Sequence, residues 1–390
     1  MKPTPFEREV AEQPAALERC WNVHRTNWGE LVGRVAESWH RGVCRRVLFT
    51  GMGSSFFAGL VPAVALFRAG VHCWTLEAGQ LVHALPPAKF FKRTLVVVTS
   101  QSGESGEVLE LLKCLGRPGS AEAGRVEGGG GAGGGGGAGG SRERRRRGLV
   151  VAVTNEVDST LAGAADVVLP LAAGGETSVT SKTYACTILT LHLLAAALLD
   201  DRLEPESLDH GVRRATGEVA RLLGAGPPDF STLPAGLLAH FDASTPHVTF
   251  VGSGTSLASA HQGALNAQEV AKVHAQALSV GQFRHGPVEA VDVEFRGVFL
   301  GDDPRGARRL DPVVRRVLQE WGARAALRVT NGVAREDSLP RGLFSVVHGV
   351  TEDTLAPLAE IVPLQLLSCA VARAKGLEPG HFLHATKVTR

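Results

Sequence analysis

Residues 94–116, TLVVVTSQSGESGEVLELLKCLG, change hydrophobic period partway along, and that change constrains the fold more than any other feature. Leu95-Val96-Val97-Val98-Thr99 is a continuous run, rich in β-branched residues, suited to a strand covered on both faces. Val108, Leu111, Leu112 and Leu115 then recur at helical spacing. Between strand and helix lie Ser100, Gln101, Ser102, Gly103, Glu104 and Ser105. Such a turn sets free backbone N–H groups and the positive end of a helix dipole beside short hydroxyls, which donate hydrogen bonds without adding charge. An anion such as phosphate is favoured there. A plain serine cap would use the same residues, but a clear strand on one side and a clear helix on the other support the phosphate reading.

The same passage occurs earlier, where strand 47–51 runs into Gly51-Met52-Gly53-Ser54-Ser55 and a helix reaching about Arg68. Further strands are predicted over Cys73–Glu77, Gly148–Asn155 and Val167–Leu171. Two helices are predicted within 6–41, and one each over 181–199 and 207–224. Alternating strands and helices imply a parallel sheet with helices on both faces. The passage then returns: Phe49-Thr50-Gly51-Met52-Gly53-Ser54-Ser55 is echoed 201 residues later by Phe250-Val251-Gly252-Ser253-Gly254-Thr255-Ser256. Val153-Thr154-Asn155 is echoed by Val329-Thr330-Asn331 after 176 residues. The offsets differ by 25 residues, close to the length of a Gly- and Arg-rich stretch, 118–147, that interrupts the first copy. That stretch cannot bury a core and is expected to be a disordered loop. The chain thus reads as an internal duplication of α/β class, with two tandem doubly wound parallel-sheet subdomains. The expected divisions are N-terminal helices (1–46), first subdomain (47–225), second subdomain (226–376) and a C-terminal loop (377–390).

Composition removes several function classes. A formal net charge of +2 over 390 residues gives no reason to expect a nucleic-acid or membrane partner. The Arg cluster inside 118–147 has no aromatic company. Six widely spaced cysteines, without CxxC or a Cys/His cluster, imply reduced thiols in a cytoplasmic protein and neither a metal site nor a disulfide frame. The polar N-terminus has no signal-peptide core, and the apolar run 183–199 is better explained as a buried helix than as a membrane span. No nicotinamide or other cofactor is expected. The turn Gly51-Met52-Gly53-Ser54-Ser55 lacks the third glycine of a dinucleotide fingerprint, and Glu77 is the lone acidic candidate at the end of the next strand.

The repeated strand–GxGxS–helix unit, with Ser100 to Ser105 in its first copy, resembles the SIS (sugar isomerase) domain. The duplicated form is similar to the isomerase half of glucosamine-6-phosphate synthase and to stand-alone aminosugar-phosphate deaminases and isomerases. Thr180-Ser181-Lys182, the segment from Gly263-Ala264-Leu265 to His285-Gly286-Pro287, the tail Lys387-Val388-Thr389 and the opening Glu9-Val10-Ala11-Glu12-Gln13-Pro14 carry the likeness over nearly the whole chain. The resemblance implies that Ser100, Gln101, Ser102 and Ser105 hold a sugar phosphate, aided by Gly53, Ser54 and Ser55, with Thr180, Ser181 and Lys182 across the sugar. Ser105 stands where the family usually has Thr. Glu269 matches the glutamate that moves a carbon-bound proton, and a partly desolvated carboxylate suits that task because burial raises its pKa. In the sequence Leu265, Glu269, Lys272 and Val273 share one helix flank.

His285 matches the histidine that opens the sugar ring, and an imidazole near neutrality can shuttle that proton. In the family it reaches the neighbouring subunit, which implies a homodimer with a shared active site. Lys387 matches the lysine of a C-terminal loop that closes over the sugar and can form a Schiff base with a ketose. Gln262 replaces a second glutamate usual in the synthase, implying the loss of a charge at the pocket edge. The implied ligand is a phosphorylated sugar or aminosugar. Because the chain starts at Met1 and reaches its first strand by residue 47, no room is expected for an ammonia-supplying glutaminase, so deamination with isomerisation is favoured over amination. A plain aldose–ketose isomerase, a fructosamine-phosphate deglycase and a non-catalytic sensor are the other readings. Retention of Glu269, His285 and Lys387 together argues against a sensor.

Overall fold

A computed structural model describes residues 2–84, 88–117, 148–224, 226, 229–301, 304–332, 340–384 and 386–387. The stretch 118–147 and the tail residues Val388 and Thr389 lie outside the described residues. The chain forms two compact units that interleave along the sequence. One comprises 19–174, 190–207 and 388–390, and the other 1–18, 175–189 and 208–387.

The first of these units holds five parallel strands: β1 (Arg46–Gly51), β2 (Cys73–Glu77), β3 (Thr94–Thr99), β4 (Leu149–Thr154) and β5 (Val167–Pro170). Their order in the sheet is β2-β1-β3-β4-β5. Every residue of β3 is buried, as a central strand covered on both faces requires. Val96, Val98 and Ala152 meet Val108, Leu111 and Leu112 from the helix Gly106–Cys114 in one core cluster. Full burial of such an aliphatic side chain is worth about 1.5–3 kcal/mol. Before β1 in the chain, residues expected to form two helices instead form three α-helical pieces, Pro5–Ala11, Gln13–Thr26 and Arg34–His40, plus a π-helical turn, Gly29–Gly33. The break falls where Gly29 and Gly33 weaken the helix.

The second unit repeats the plan with β6 (His247–Gly252), β7 (His274–Ser279), β8 (Arg296–Leu300), β9 (Ala325–Thr330) and β10 (Leu343–Val347), again all parallel. Its order, β10-β9-β8-β6-β7, is the first order read from the other edge. The echoed triplets fall on the fourth strand of each copy, β4 and β9, so the duplication inferred from two short matches is a duplication of topology. Its core sets Val251 and Phe299 against Phe283, Leu310 and Val317. The helices Lys182–Leu199 and Ala356–Ala374 are long and apolar enough to cross a membrane, but 89% and 94% of their apolar windows are buried in the fold.

The two ends of the interrupting stretch are joined directly. Arg117 donates to both carboxylate oxygens of Asp166, at 2.9 and 2.6 Å, and to the carbonyl of Gly148 at 3.3 Å. The second copy crosses from β8 to β9 with one helix, Pro304–Gln319, and needs no such stretch. Removing residues 118–147 and rejoining the ends through a short linker is therefore expected to leave the melting midpoint within a few degrees and turnover nearly unchanged. Differential scanning calorimetry and a steady-state assay check this, and a large loss of either would mean that the stretch packs or binds.

Candidate functional site

In a sheet of order 2-1-3-4-5 the chain reverses direction of travel between β1 and β3, and ligands of open α/β sheets bind outside the carboxyl ends of the strands at that point. The two turns singled out in the sequence flank it. A Cβ on Gly51 would stand 2.7 Å from the Thr99 carbonyl oxygen and 2.8 Å from the Ser55 Cβ, so close approach of the two turns demands glycine there. Gly53 (φ 49°) leads into the helix Ser54–Arg68 with no side-chain cap. The helix Gly106–Cys114 likewise starts after Ser105 without one. In the second of these helices the first-turn N–H groups remain for an incoming acceptor, whereas at the first the Met52 carbonyl already accepts from Ser55 N at 3.0 Å and from Phe56 N at 3.5 Å.

The hydroxyls of the second turn are pre-arranged. Ser100 Oγ accepts from Gly103 N at 3.1 Å and lies 3.2 Å from Ser105 Oγ, while Ser102 Oγ accepts from Glu104 N at 3.2 Å. Gly103 has φ 65°, and a Cβ on it would collide with Ser159 Oγ at 2.0 Å. Glu104, within the turn, accepts from Thr160 N and Oγ1, at 2.6 and 3.0 Å, so both of its carboxylate oxygens are engaged there. Gln101, Ser102, Ser54 and Ser55 are half-buried, and Gly53 is exposed.

The other unit carries the remaining candidates. Glu269 is half-buried near the end of the helix Ser256–Ala271, and burial pushes its carboxyl up, against the opposing pull of the Lys387 and Lys272 ammonium groups. The helix stops two residues later than Glu269, not beyond Val273 as the shared flank suggested. Lys272 adopts φ 52°, and its Nζ donates to the Glu269 carbonyl at 2.5 Å and to the His381 carbonyl at 2.7 Å. Burial lowers the Lys272 pKa, with Glu269 opposing. His274 to Ser279, read as more of the same segment, is the edge strand β7. His285 caps the short helix Val280–Arg284, exposed, with Gly286 at φ 133° and Pro287 fixing the turn after it. No hydrogen bond joins its ring to Glu269 or Lys387 among the described residues.

Thr180, Ser181 and Lys182 lead into the helix Lys182–Leu199. Thr180 is half-buried; Ser181 and Lys182 are buried and already engaged. Ser181 N and Oγ donate to Glu176 Oε1 at 2.9 and 3.2 Å, and Lys182 Nζ pairs with Glu12. Glu176 Oε1 also accepts from Thr183 N at 3.1 Å; its Oε2 accepts from Thr183 Oγ1 at 2.7 Å and from Lys387 Nζ at 2.8 Å. Lys387 Nζ also donates to the Ser178 carbonyl at 2.6 Å.

The opening segment Glu9–Pro14, recognised in the sequence without an assigned task, braces this turn. Glu9 Oε1 accepts from Thr177 N at 2.6 Å and from Thr177 Oγ1 at 2.9 Å, while Glu9 Oε2 accepts from Ser178 N at 3.2 Å. Glu9, Glu12 and Glu176 were thus missed as members of the site's frame. The signal available was two acidic residues, Glu9 and Glu12, inside a segment already singled out for its likeness; Glu176 stands four residues before Thr180, outside any such segment. Gln262 is the residue that the resemblance sets where a second glutamate is usual. It is fully buried on the helix that carries Glu269, and neither its amide atoms nor those of Asn266, one turn on, have a partner among the described residues. A neutral amide there avoids burying an ion, which would cost far more than an unmatched hydrogen bond.

Among the described residues no three His, Cys, Asp or Glu side chains converge as a metal site would require. Of the six cysteines, Cys20, Cys44, Cys186 and Cys369 are buried, Cys73 is partly so and Cys114 is exposed.

No family model matches the chain. Among curated proteins, it is 29% identical over 339 residues to the glutamine–fructose-6-phosphate aminotransferase [isomerizing] of Pyrobaculum aerophilum, covering 86% of this chain and 50% of that protein. The chain spans about half the length of the curated relatives it matches. Among solved structures, the C-terminal domain of the glucosamine-fructose-6-phosphate aminotransferase of Francisella tularensis superposes with a TM-score of 0.75 at 20% identity, over 97% of this chain and 98% of that one. The glucosamine-6-phosphate deaminase of Thermotoga maritima gives 0.67 at 18% identity, over 99% of both chains. This chain therefore has the fold of two tandem SIS units and resembles, in sequence and in topology, the isomerase half of the fructose-6-phosphate aminotransferases.

Proposed function

We propose that the chain is a sugar-phosphate isomerase that acts on aminosugar 6-phosphates, converting an aldosamine 6-phosphate and water to a ketose 6-phosphate and ammonia. The observation that carries this reading is Glu269, a carboxyl whose pKa is raised by burial and which has two lysines for neighbours. A base that takes the proton from the second carbon and returns it to the first turns the amine into an imine, which water hydrolyses to the ketone with release of ammonia. The hydroxyl-lined turn from Ser100 to Ser105 is the phosphate cradle, and Ser55 with Gly53 and Ser54 supports it from the neighbouring turn. Thr180, Ser181 and Lys182 form the frame of the sugar site, with Lys387 as its cation or amine. The likeness to aminotransferases supports a second reading, the same proton transfer run toward amination of a ketose phosphate by ammonia.

Incubation with glucosamine 6-phosphate and galactosamine 6-phosphate, following ammonia, tests the first reading. Release of ammonia from either supports it. Consumption of ammonia with fructose 6-phosphate, without release, establishes the second. Interconversion of unaminated sugar phosphates alone would make the chain a plain isomerase.

Further elements of the proposal are a homodimer, in which His285 serves the neighbouring subunit as the ring-opening group, and a cytoplasmic location. His285→Ala is expected to slow reaction of the closed ring while sparing sugar that has already opened. Mixed with Glu269→Gln, it should recover part of the activity through hybrid dimers, each with one intact site. If subunit exchange is demonstrated and the mixture stays inactive, the shared site is wrong.

A further inference from the structure

The two oxygens of Glu176 have different partners. Oε1 caps the start of the helix Lys182–Leu199 through Ser181 and Thr183, whereas Oε2 receives the Lys387 ammonium and the Thr183 hydroxyl. The Glu176 side chain has no exposed surface, and Lys387 is the cation that pairs with it among the described residues. A second attachment lies close by: Ser178 Oγ donates to the Gly380 carbonyl at 2.9 Å, and Gly380, at φ 78°, packs so tightly that a Cβ would meet Ser178 Oγ at 2.5 Å.

We propose that Glu176 is a positioning residue that seats the C-terminal segment, holding Lys387 where its charge acts on Glu269. The physical reason is reciprocal need. A buried carboxylate without its cation is strongly unfavourable, so folding of the 176–183 turn itself draws the tail into place, and the tail returns a positive charge to the neighbourhood of the base. The other charged groups around this turn are already matched, Glu9 with Thr177 and Ser178, and Glu12 with Lys182, so none competes for Lys387. Around Glu269 the acting charges are Lys272 and Lys387; Lys272 is tied to the Glu269 carbonyl beside it and to the His381 carbonyl of the tail. The effect on turnover rests on the function proposed above; the seating itself does not.

Glu176→Gln keeps an oxygen for the helix cap and removes the charged acceptor for Lys387, leaving it the Ser178 carbonyl. In that variant the melting midpoint should stay near that of the unsubstituted chain. Acylation of Lys387 by acetic anhydride, read by mass spectrometry against exposed Lys92, should rise about tenfold or more, the worth of one hydrogen bond between charged groups. Lys387→Met leaves Glu176 buried without its cation and should lower the melting midpoint, and the double variant Glu176→Gln/Lys387→Met should regain that loss. This arm needs no sugar and remains informative if the glutamine variant alone folds poorly.

In deuterium exchange at the second carbon of glucosamine 6-phosphate, the acidic limb of the pH profile should move upward in Glu176→Gln and in Lys387→Met by the same amount. It should move no further in the double variant, because withdrawing one cation from Glu269 raises its pKa once. Unchanged Lys387 labelling in Glu176→Gln, or a Lys387→Met chain that melts like the unsubstituted one, overturns the proposal. Failure of ammonia release with these signatures intact would instead remove the reaction and leave the seat.

Discussion

Glu269→Gln should exchange the hydrogen at the second carbon of the sugar about 10²–10⁴ times more slowly than the unsubstituted chain, the usual worth of a positioned general base. The glutamine keeps the shape and much of the polarity of the carboxyl, so sugar-phosphate affinity should change little. The pH dependence carries more information than the loss itself. A base works only when deprotonated, so exchange in the unsubstituted chain should rise with pH through the folded-state pKa of Glu269. Burial sets that value above the ordinary glutamate pKa of about 4.3, with Lys387 and Lys272 limiting the rise. The limb should disappear in Glu269→Gln. Deuterium incorporation followed by NMR in heavy water measures both, and wild-type exchange in the glutamine variant would show that another group moves the proton.

Ser100→Ala should weaken binding of 6-phosphorylated sugars by one to two orders of magnitude, because a donor to a charged group is worth about 1.5–3 kcal/mol. Ser100 Oγ also accepts from Gly103 N and contacts Ser105 Oγ, so the alanine loosens the turn as well as removing a donor. Gly103→Ala should do more. A Cβ would overlap Ser159 Oγ in a backbone conformation that side chains disfavour, and strain of about 1–3 kcal/mol would fall on the cradle. Isothermal titration with paired 6-phosphorylated and unphosphorylated sugars checks this, and equal affinity of the unsubstituted chain for both would remove the phosphate site.

What the sequence made legible was local. The strand over residues 95–99, the turn after it and the helix beyond depend on residues a few positions apart, and all three stand where the periodicity put them. The duplication was legible because strand ends and glycine turns repeat in register. The end of the helix at Ala271 was not legible, since nothing local stops it. Lys272 takes a left-handed conformation without being glycine, held by the His381 carbonyl more than a hundred residues away. Glu176 was missed for the same reason: its partner Lys387 lies 211 residues further along the chain.

The clamp of Arg117 on Asp166 and Gly148 has a consequence for how the gene can change. With both stumps of the connection pinned to each other, the number of residues between them is expected to be a nearly neutral character. Glycine codons in tandem are prone to gain and loss during replication, and here such drift would meet little purifying selection from the fold. The same geometry makes the junction a natural port for grafting: a reporter or a second domain whose own ends lie close together could be spliced between 117 and 148 and be carried by an otherwise unaltered unit.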